Sequence, residues 1–119
     1  MNKKTIIPDA AKAVLEESPG PAVVLDGNPS TAEKIVAVDG GVEVGIWQVE
    51  PGVFESKKQG TSEFMHFIFG EGFIESADGE KFVIEPGAVL YVPSGWSGTW
   101  HVVAPTRKTY TIIPEVETK

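Results

Sequence analysis

The 119-residue chain has no cysteine, which excludes a disulfide framework and a thiolate metal site. That absence agrees with a cytoplasmic protein. Basic residues are few: 10 Lys and Arg stand against 17 Asp and Glu, a formal charge of −7. An acidic surface argues against non-specific binding to nucleic acid or to an anionic membrane. No apolar run approaches the roughly 18 residues that a membrane helix needs. The opening stretch MNKKTIIPDA carries two lysines without a long apolar segment behind them, so no signal peptide is expected. No glycine-rich loop precedes a helix, no serine sits in a nucleophile elbow, and no basic patch interleaves with aromatics. Phosphate-loop, hydrolase and nucleic-acid readings therefore lack their residues.

What is abundant is punctuation: 13 glycines and nine prolines, spaced for many short strands. The clearest unit is GAVLYVPSGWSGTW, Gly87 to Trp100, which reads as strand, tight corner, strand. Pro93 sets its own φ and Gly95 permits a positive one, which together force the corner. Glu63 to Gly70 is a similar strand-to-turn unit. If the two units face each other, the residues between their turns line a pocket.

Taken in order, Pro8-Asp9 and AAKAVLEES predict a short helix capped by Asp9 and stopped at Pro19-Gly20. Val14 and the alanines would be its thin apolar face. Gly20 to Ser30 reads as a turn-rich wrap and Lys34 to Val38 as an edge strand. Val42 to Val49 is a strand apolar on both faces, and Val53 to Lys57 a short one. Lys57 to Ser62 is a polar loop at the pocket rim. Glu63 to Phe69 is a strand broken by Gly70 and Gly72, and Asp78-Gly79 marks a hairpin. Ala88 to Val92, Gly98 to Val103 and Arg107 to Ile113 complete the strands, with Ala104-Pro105 as a stop. The expected class is all-β, a sandwich or barrel, in one domain. Residues 1–41 form the N-terminal helix and edge segment, 42–113 the barrel core and 114–119 a frayed tail.

The spacing of the two units resembles the cupin family. Gly52 opens the first motif and Glu63-x6-Gly70 closes it; Gly87-x5-Pro93-x-Gly95 gives the second. Among cupins the chain looks like the small single-domain proteins grouped with the cupin domain of ureidoglycine aminohydrolase. The shared stretches are Glu63 to Gly70 (EFMHFIFG), Gly98-Thr99-Trp100 and Arg107-Lys108-Thr109-Tyr110. The resemblance spans residues 42 to 113 and implies a cupin (RmlC-like) jelly-roll barrel, the double-stranded β-helix. It also implies a metal, since the aminohydrolase resembles a manganese enzyme with a Glu/His/His/Gln set. This chain departs from that set. The histidines of the first motif are replaced by Lys57 or Lys58 and by Gln59 or Gly60, and that of the second by Gly98. One retained carboxylate, Glu63, does not make a transition-metal site, which wants three or four donors. The expectation is no metal ligand and no metal cofactor, with manganese, zinc and iron left open. Glycine at 98 would widen the pocket.

If Glu63 points inward, strand alternation takes Met65, Phe67 and Phe69 inward with it and sends His66 outward, unless a bulge between 63 and 66 reverses this; if Gly98 is inward, Trp100 and Val102 follow and His101 points outward. Glu63 is the candidate acid/base, its pKa raised by burial unless a cation pairs with it. The competing reading is a structural glutamate neutralised by Lys57, Lys58 or Arg107. The candidate ligand-binding set is Trp47, Gln59, Glu63, Met65, Trp96, Trp100 and Tyr110. Trp96 would sit at the mouth, whereas Phe67 and Trp100 read first as core. Arg107-Lys108 would clamp a carboxylate or form a solvated strand end. Three functions fit: a metal-free small-molecule-binding cupin, an enzyme of the aminohydrolase type on a small polar metabolite, or a non-catalytic interaction module. A partly apolar outer face of Phe64, His66, Ile68 and His101 would support a homodimer.

Overall fold

The structure, a computed structural model, describes residues 4–116. Nine strands follow one another: β1 (Glu16–Ser18), β2 (Val23–Gly27), β3 (Thr31–Asp39), β4 (Val42–Val49), β5 (Gly52–Lys57), β6 (Thr61–Ser76), β7 (Lys81–Ile84), β8 (Val89–Val92) and β9 (Ser97–Pro114). All pairings are antiparallel. The all-β jelly-roll expectation holds.

Two long strands organise the sheet. The first half of β6 and the second half of β9 pair with each other, flanked by β8 on one side and by β4, β3 and β1 on the other. The second half of β6 and the first half of β9 pair likewise, flanked by β7 and by β5 and β2. The sheet thus curls into two layers joined by its two longest strands. The core lies between them: Val49, Phe54, Met65, Phe67, Ile74, Ile84, Val92, Trp100 and Val102 are buried together. Trp100 is the crossing point. It stacks on Phe54 at 5.5 Å and meets Trp47 edge-on at 5.5 Å and Phe67 at 5.9 Å.

Several local expectations change. The N-terminal helix does not form: Asp9 caps a single turn, accepting from Ala11 N, and the chain then enters β1. A short helix needs an apolar face to bury, and Val14 is 87% exposed. The carbonyls of Ala10, Ala11 and Ala13 instead accept from the Arg107 guanidinium at 2.8, 3.1 and 3.0 Å. Gly20 to Ser30 contains a strand, β2, that extends the sheet beside β5. Lys34 to Val38 belongs to the longer β3, covered by β1 only over Thr31–Glu33.

Gly70 and Gly72 bend β6 without ending it. The pairing with β9 shifts register between Phe67 and Gly72, and Gly72 has φ +143° with the His101 carbonyl where a Cβ would stand. Ala104-Pro105 does not stop β9 either. Pro105 falls in the stretch where β9 passes from one layer to the other and pairs with no described strand, a position proline tolerates. Pro114 completes β9 and Glu115 N donates to the Gly60 carbonyl. The rest of the expected tail, residues 117–119, lies outside the described residues.

Candidate functional site

Alternation along β6 buries Glu63, Met65 and Phe67 and leaves His66 exposed. Glu63 is 2% exposed. On β9 the even residues point inward through both layers: Trp100, Val102, Thr106, Lys108 and Tyr110 are all buried. Lys108 thereby reaches the interior, 6% exposed, as the cross-strand partner of Trp47 on β4. The third member comes from the loop after β5. Lys58 N donates to the Trp96 carbonyl and Gly95 N to the Lys58 carbonyl, so the Pro93-Gly95 corner holds the loop in place. The two motif units do meet, and they meet here.

The result is a buried charge cluster. Lys108 Nζ donates to Glu63 Oε2 at 2.6 Å, and Lys58 Nζ pairs with Glu63 Oε1. The Lys108 ammonium also lies over three rings: 4.5 Å from the Trp47 centroid, 5.0 Å from Trp100 and 6.0 Å from Tyr110. Burial alone would raise the Glu63 pKa, but Lys108 and Lys58 outweigh it and hold the carboxyl below its ordinary value. Burial pulls the Lys108 pKa down; Glu63 opposes that and Lys58 adds to it. Burial and the hydrogen bond to Glu43 raise the Tyr110 pKa.

The metal that the resemblance implies fits these residues poorly. Both oxygens of Glu63 are committed to ammonium groups, and cations stand where a cation would bind. At the other ligand positions Lys57 and Gln59 are exposed on the rim. Gly98 does not widen the pocket either: the Trp96 ring fills its place, 2.5 Å from where a Cβ would be, and Trp96 Nε1 donates to Ser76 Oγ at 2.9 Å. Among the described residues no group of three or more His, Cys, Asp or Glu is arranged to hold a metal ion.

Beside the cluster lies a small open cavity of about 90 Å³, lined by Glu33, Glu43, Trp47, Glu63, Lys108, Tyr110 and Ile112. Of the expected ligand-binding set, Trp47, Glu63 and Tyr110 line it. Met65 and Trp100 are core, Trp96 packs against the core from the corner, and Gln59 is apart in the exposed loop. Tyr110 O–H donates to Glu43 Oε2 at 2.8 Å. Trp100 Nε1, fully buried, has no partner among the described residues.

Lys108, Glu33 and Glu43 were not in the expected set. Arg107-Lys108 is no solvated strand end: Arg107 is buried against Gln48 and the N-terminal carbonyls, and Lys108 is in the interior. Stepping back two residues from the inward Tyr110 would have found Lys108. His101 stacks on Phe73 at 4.3 Å, away from the cavity.

Comparison with known proteins agrees with this architecture. No functionally curated protein matches the sequence. A protein of unknown function of the DUF861 family from Pseudomonas syringae pv. tomato superposes with a TM-score of 0.76 at 22% identity, covering 87% of this chain and 46% of that one. This chain thus spans less than half of that relative's length. The Clostridium difficile EutQ protein gives 0.61 at 19% identity over 72% of this chain and 69% of its own. A DUF861 family protein from Thermotoga maritima is 34% identical over 55% of this chain and 73% of its own, with a TM-score of 0.50. The likeness to ureidoglycine aminohydrolase gains nothing from these comparisons. The family model described as EutQ-like cupin domain matches residues 36–110, most of the chain, and the chain belongs to that family.

Proposed function

We propose that this protein is a metal-free cupin that binds a small uncharged polar molecule against Lys108. One observation carries the reading: both oxygens of Glu63, the retained ligand position of the family, are held by Lys58 and Lys108. The cluster supplies internally the positive charge that a metal supplies elsewhere. The cavity of about 90 Å³ has room for about three waters, hence a molecule of about four or five heavy atoms. Glu33 and Glu43 at its walls repel anions, and the Lys108 ammonium repels a cationic group placed against it. A carbonyl or amide suits the place: its oxygen accepts from Lys108 while its carbon chain lies on Trp47 and Ile112. Binding is favoured over acid/base work by Glu63, whose carboxyl is kept ionised and whose lone pairs are engaged.

Dialysis against EDTA followed by elemental analysis and ligand-observed NMR with propionamide tests this. The expected result is no stoichiometric metal before or after dialysis, and propionamide binding that Glu33→Lys abolishes or alters. Stoichiometric manganese, zinc or iron that Glu63→Gln releases would overturn the reading.

A second reading concerns assembly. Phe64 pairs with Tyr91 and His66 with Val89 across β6 and β8, and all four are exposed on the outer face. That partly apolar patch supports a homodimer built on it. His101 is not part of it, being stacked on Phe73 in the other layer. Sedimentation showing monomer at high concentration would remove this reading.

A further inference from the structure

We infer that Lys108 is a nucleophilic amine that captures a small uncharged aldehyde as an imine in the cavity beside Glu63. This inference rests on the cavity reading above and names its ligand class.

The geometry is unusual for a structural lysine. Two ammonium groups share one buried carboxylate, so the cluster carries one uncompensated positive charge. Such an excess is costly away from water. It disappears when one lysine gives up its proton, because a single Lys–Glu pair then remains. Lys58 is the more exposed of the two, with 17% of its side chain accessible against 7% for Lys108. Lys108 is therefore the group that neutralises. Burial away from water next to a second cation is the arrangement that activates an amine as a nucleophile. The groups facing it are Glu63 from β6, Lys58 from the loop, and Tyr110 on its own strand, with Glu33 and Glu43 across the cavity. The lowered Lys108 pKa agrees with this placement.

The step balances without a co-reactant. The Lys108 ammonium releases one proton to solvent through the cavity. The amine lone pair then forms a C–N bond to the aldehyde carbon. The carbonyl oxygen leaves as water with both amine hydrogens, and the nitrogen takes one proton back from solvent. The iminium so formed keeps the positive charge beside Glu63 Oε2, where the ammonium had it. Glu63 is a positioning residue here. The wall carboxylates Glu33 and Glu43 select an uncharged aldehyde over an anionic one such as glyoxylate.

The test treats the intact protein with propanal and cyanoborohydride at neutral pH and maps the alkylated lysines by mass spectrometry. Lys108 should be alkylated at least about tenfold faster than the exposed Lys34, Lys57 and Lys81 of the same sample. Glyoxylate should lose that preference, and the double variant Glu33→Gln, Glu43→Gln should restore it. Alkylation of Lys108 no faster than of the exposed lysines overturns the inference. If propionamide binds while Lys108 stays unmodified, the imine step alone falls; if neither occurs, the cavity reading falls with it.

Discussion

The Trp96 indole occupies the space into which a side chain at residue 98 would project. In cupins of the metal-binding pattern a histidine stands at that point of the second motif. The ring is fixed there by its hydrogen bond to Ser76 and by packing on the core. A side chain at residue 98 and the Trp96 indole in this position exclude one another.

A histidine cannot simply be put back. Gly98→His should destabilise the protein by about 1–3 kcal/mol through overpacking against Trp96, and should bind no metal. Thermal unfolding with and without zinc checks both. A zinc-dependent rise in Tm would show that the site was one residue from competence.

The buried cluster is asymmetric, and its variants should be too. Glu63→Gln strands two ammonium groups in the interior and should cost about 3–5 kcal/mol. Lys108→Met leaves the Lys58–Glu63 pair whole, removes the excess charge and keeps the aromatic contacts of the alkyl stem. It should cost far less, on the order of 1 kcal/mol or under. Urea titration of both variants reads the difference directly.

Stability should depend on pH at both ends of the range. The Glu63 pKa is lowered in the folded state, so its contribution is complete above the ordinary value of 4.5 and is lost as pH falls through the folded value. The Lys108 pKa is lowered as well, with the opposite consequence for a base. At neutral pH the folded state bears the charged form at a cost, which is relieved as pH rises through the folded value towards 10.5. Tyr110, whose pKa is raised, counteracts this above its ordinary value of 10.0, because the unfolded chain then ionises first. Tm should fall on acidification below about 4.5 and rise on mild alkalinisation short of 10. In Lys108→Met the alkaline rise should vanish.

Arg107 ties the N-terminal segment to the sheet. Its guanidinium faces three carbonyls of residues 10–13 and the Gln48 side chain. Arg107→Ala should cost about 2–3 kcal/mol, as charged hydrogen bonds are lost and carbonyls left unmet. The segment should loosen before the rest, so trypsin should cut after Lys12 sooner than in the parent protein.

Much of the fold was legible because it rests on local chemistry. Pro93-Ser94-Gly95 and Asp78-Gly79 dictate their turns whatever surrounds them, and period-two alternation placed Glu63, Met65, Phe67 and Trp100 inward. The helix over residues 9–18 was misread because propensity says nothing about where the carbonyls will find donors, and the donor was Arg107, nearly a hundred residues on. β2 was misread because a strand flanked by Gly and Pro looks like a turn until a partner covers one edge. At the site, Glu63 could be named from its motif, whereas Lys108 was obscured by chemistry: a lysine beside an arginine suggests solvent. Its even number, two before Tyr110, said otherwise. Gln59 fell outside the cavity because motif spacing fixes the order of residues in a loop but not which of them turn inward.

β9 touches β4, β5 and β6, and so supplies the seam of both layers. Until residues 97–114 have left the ribosome, β4 and β5 have no neighbour on that side and Trp47 and Phe54 have no Trp100 to close on. Strands made before it therefore keep an apolar edge uncovered until β9 arrives to close both layers.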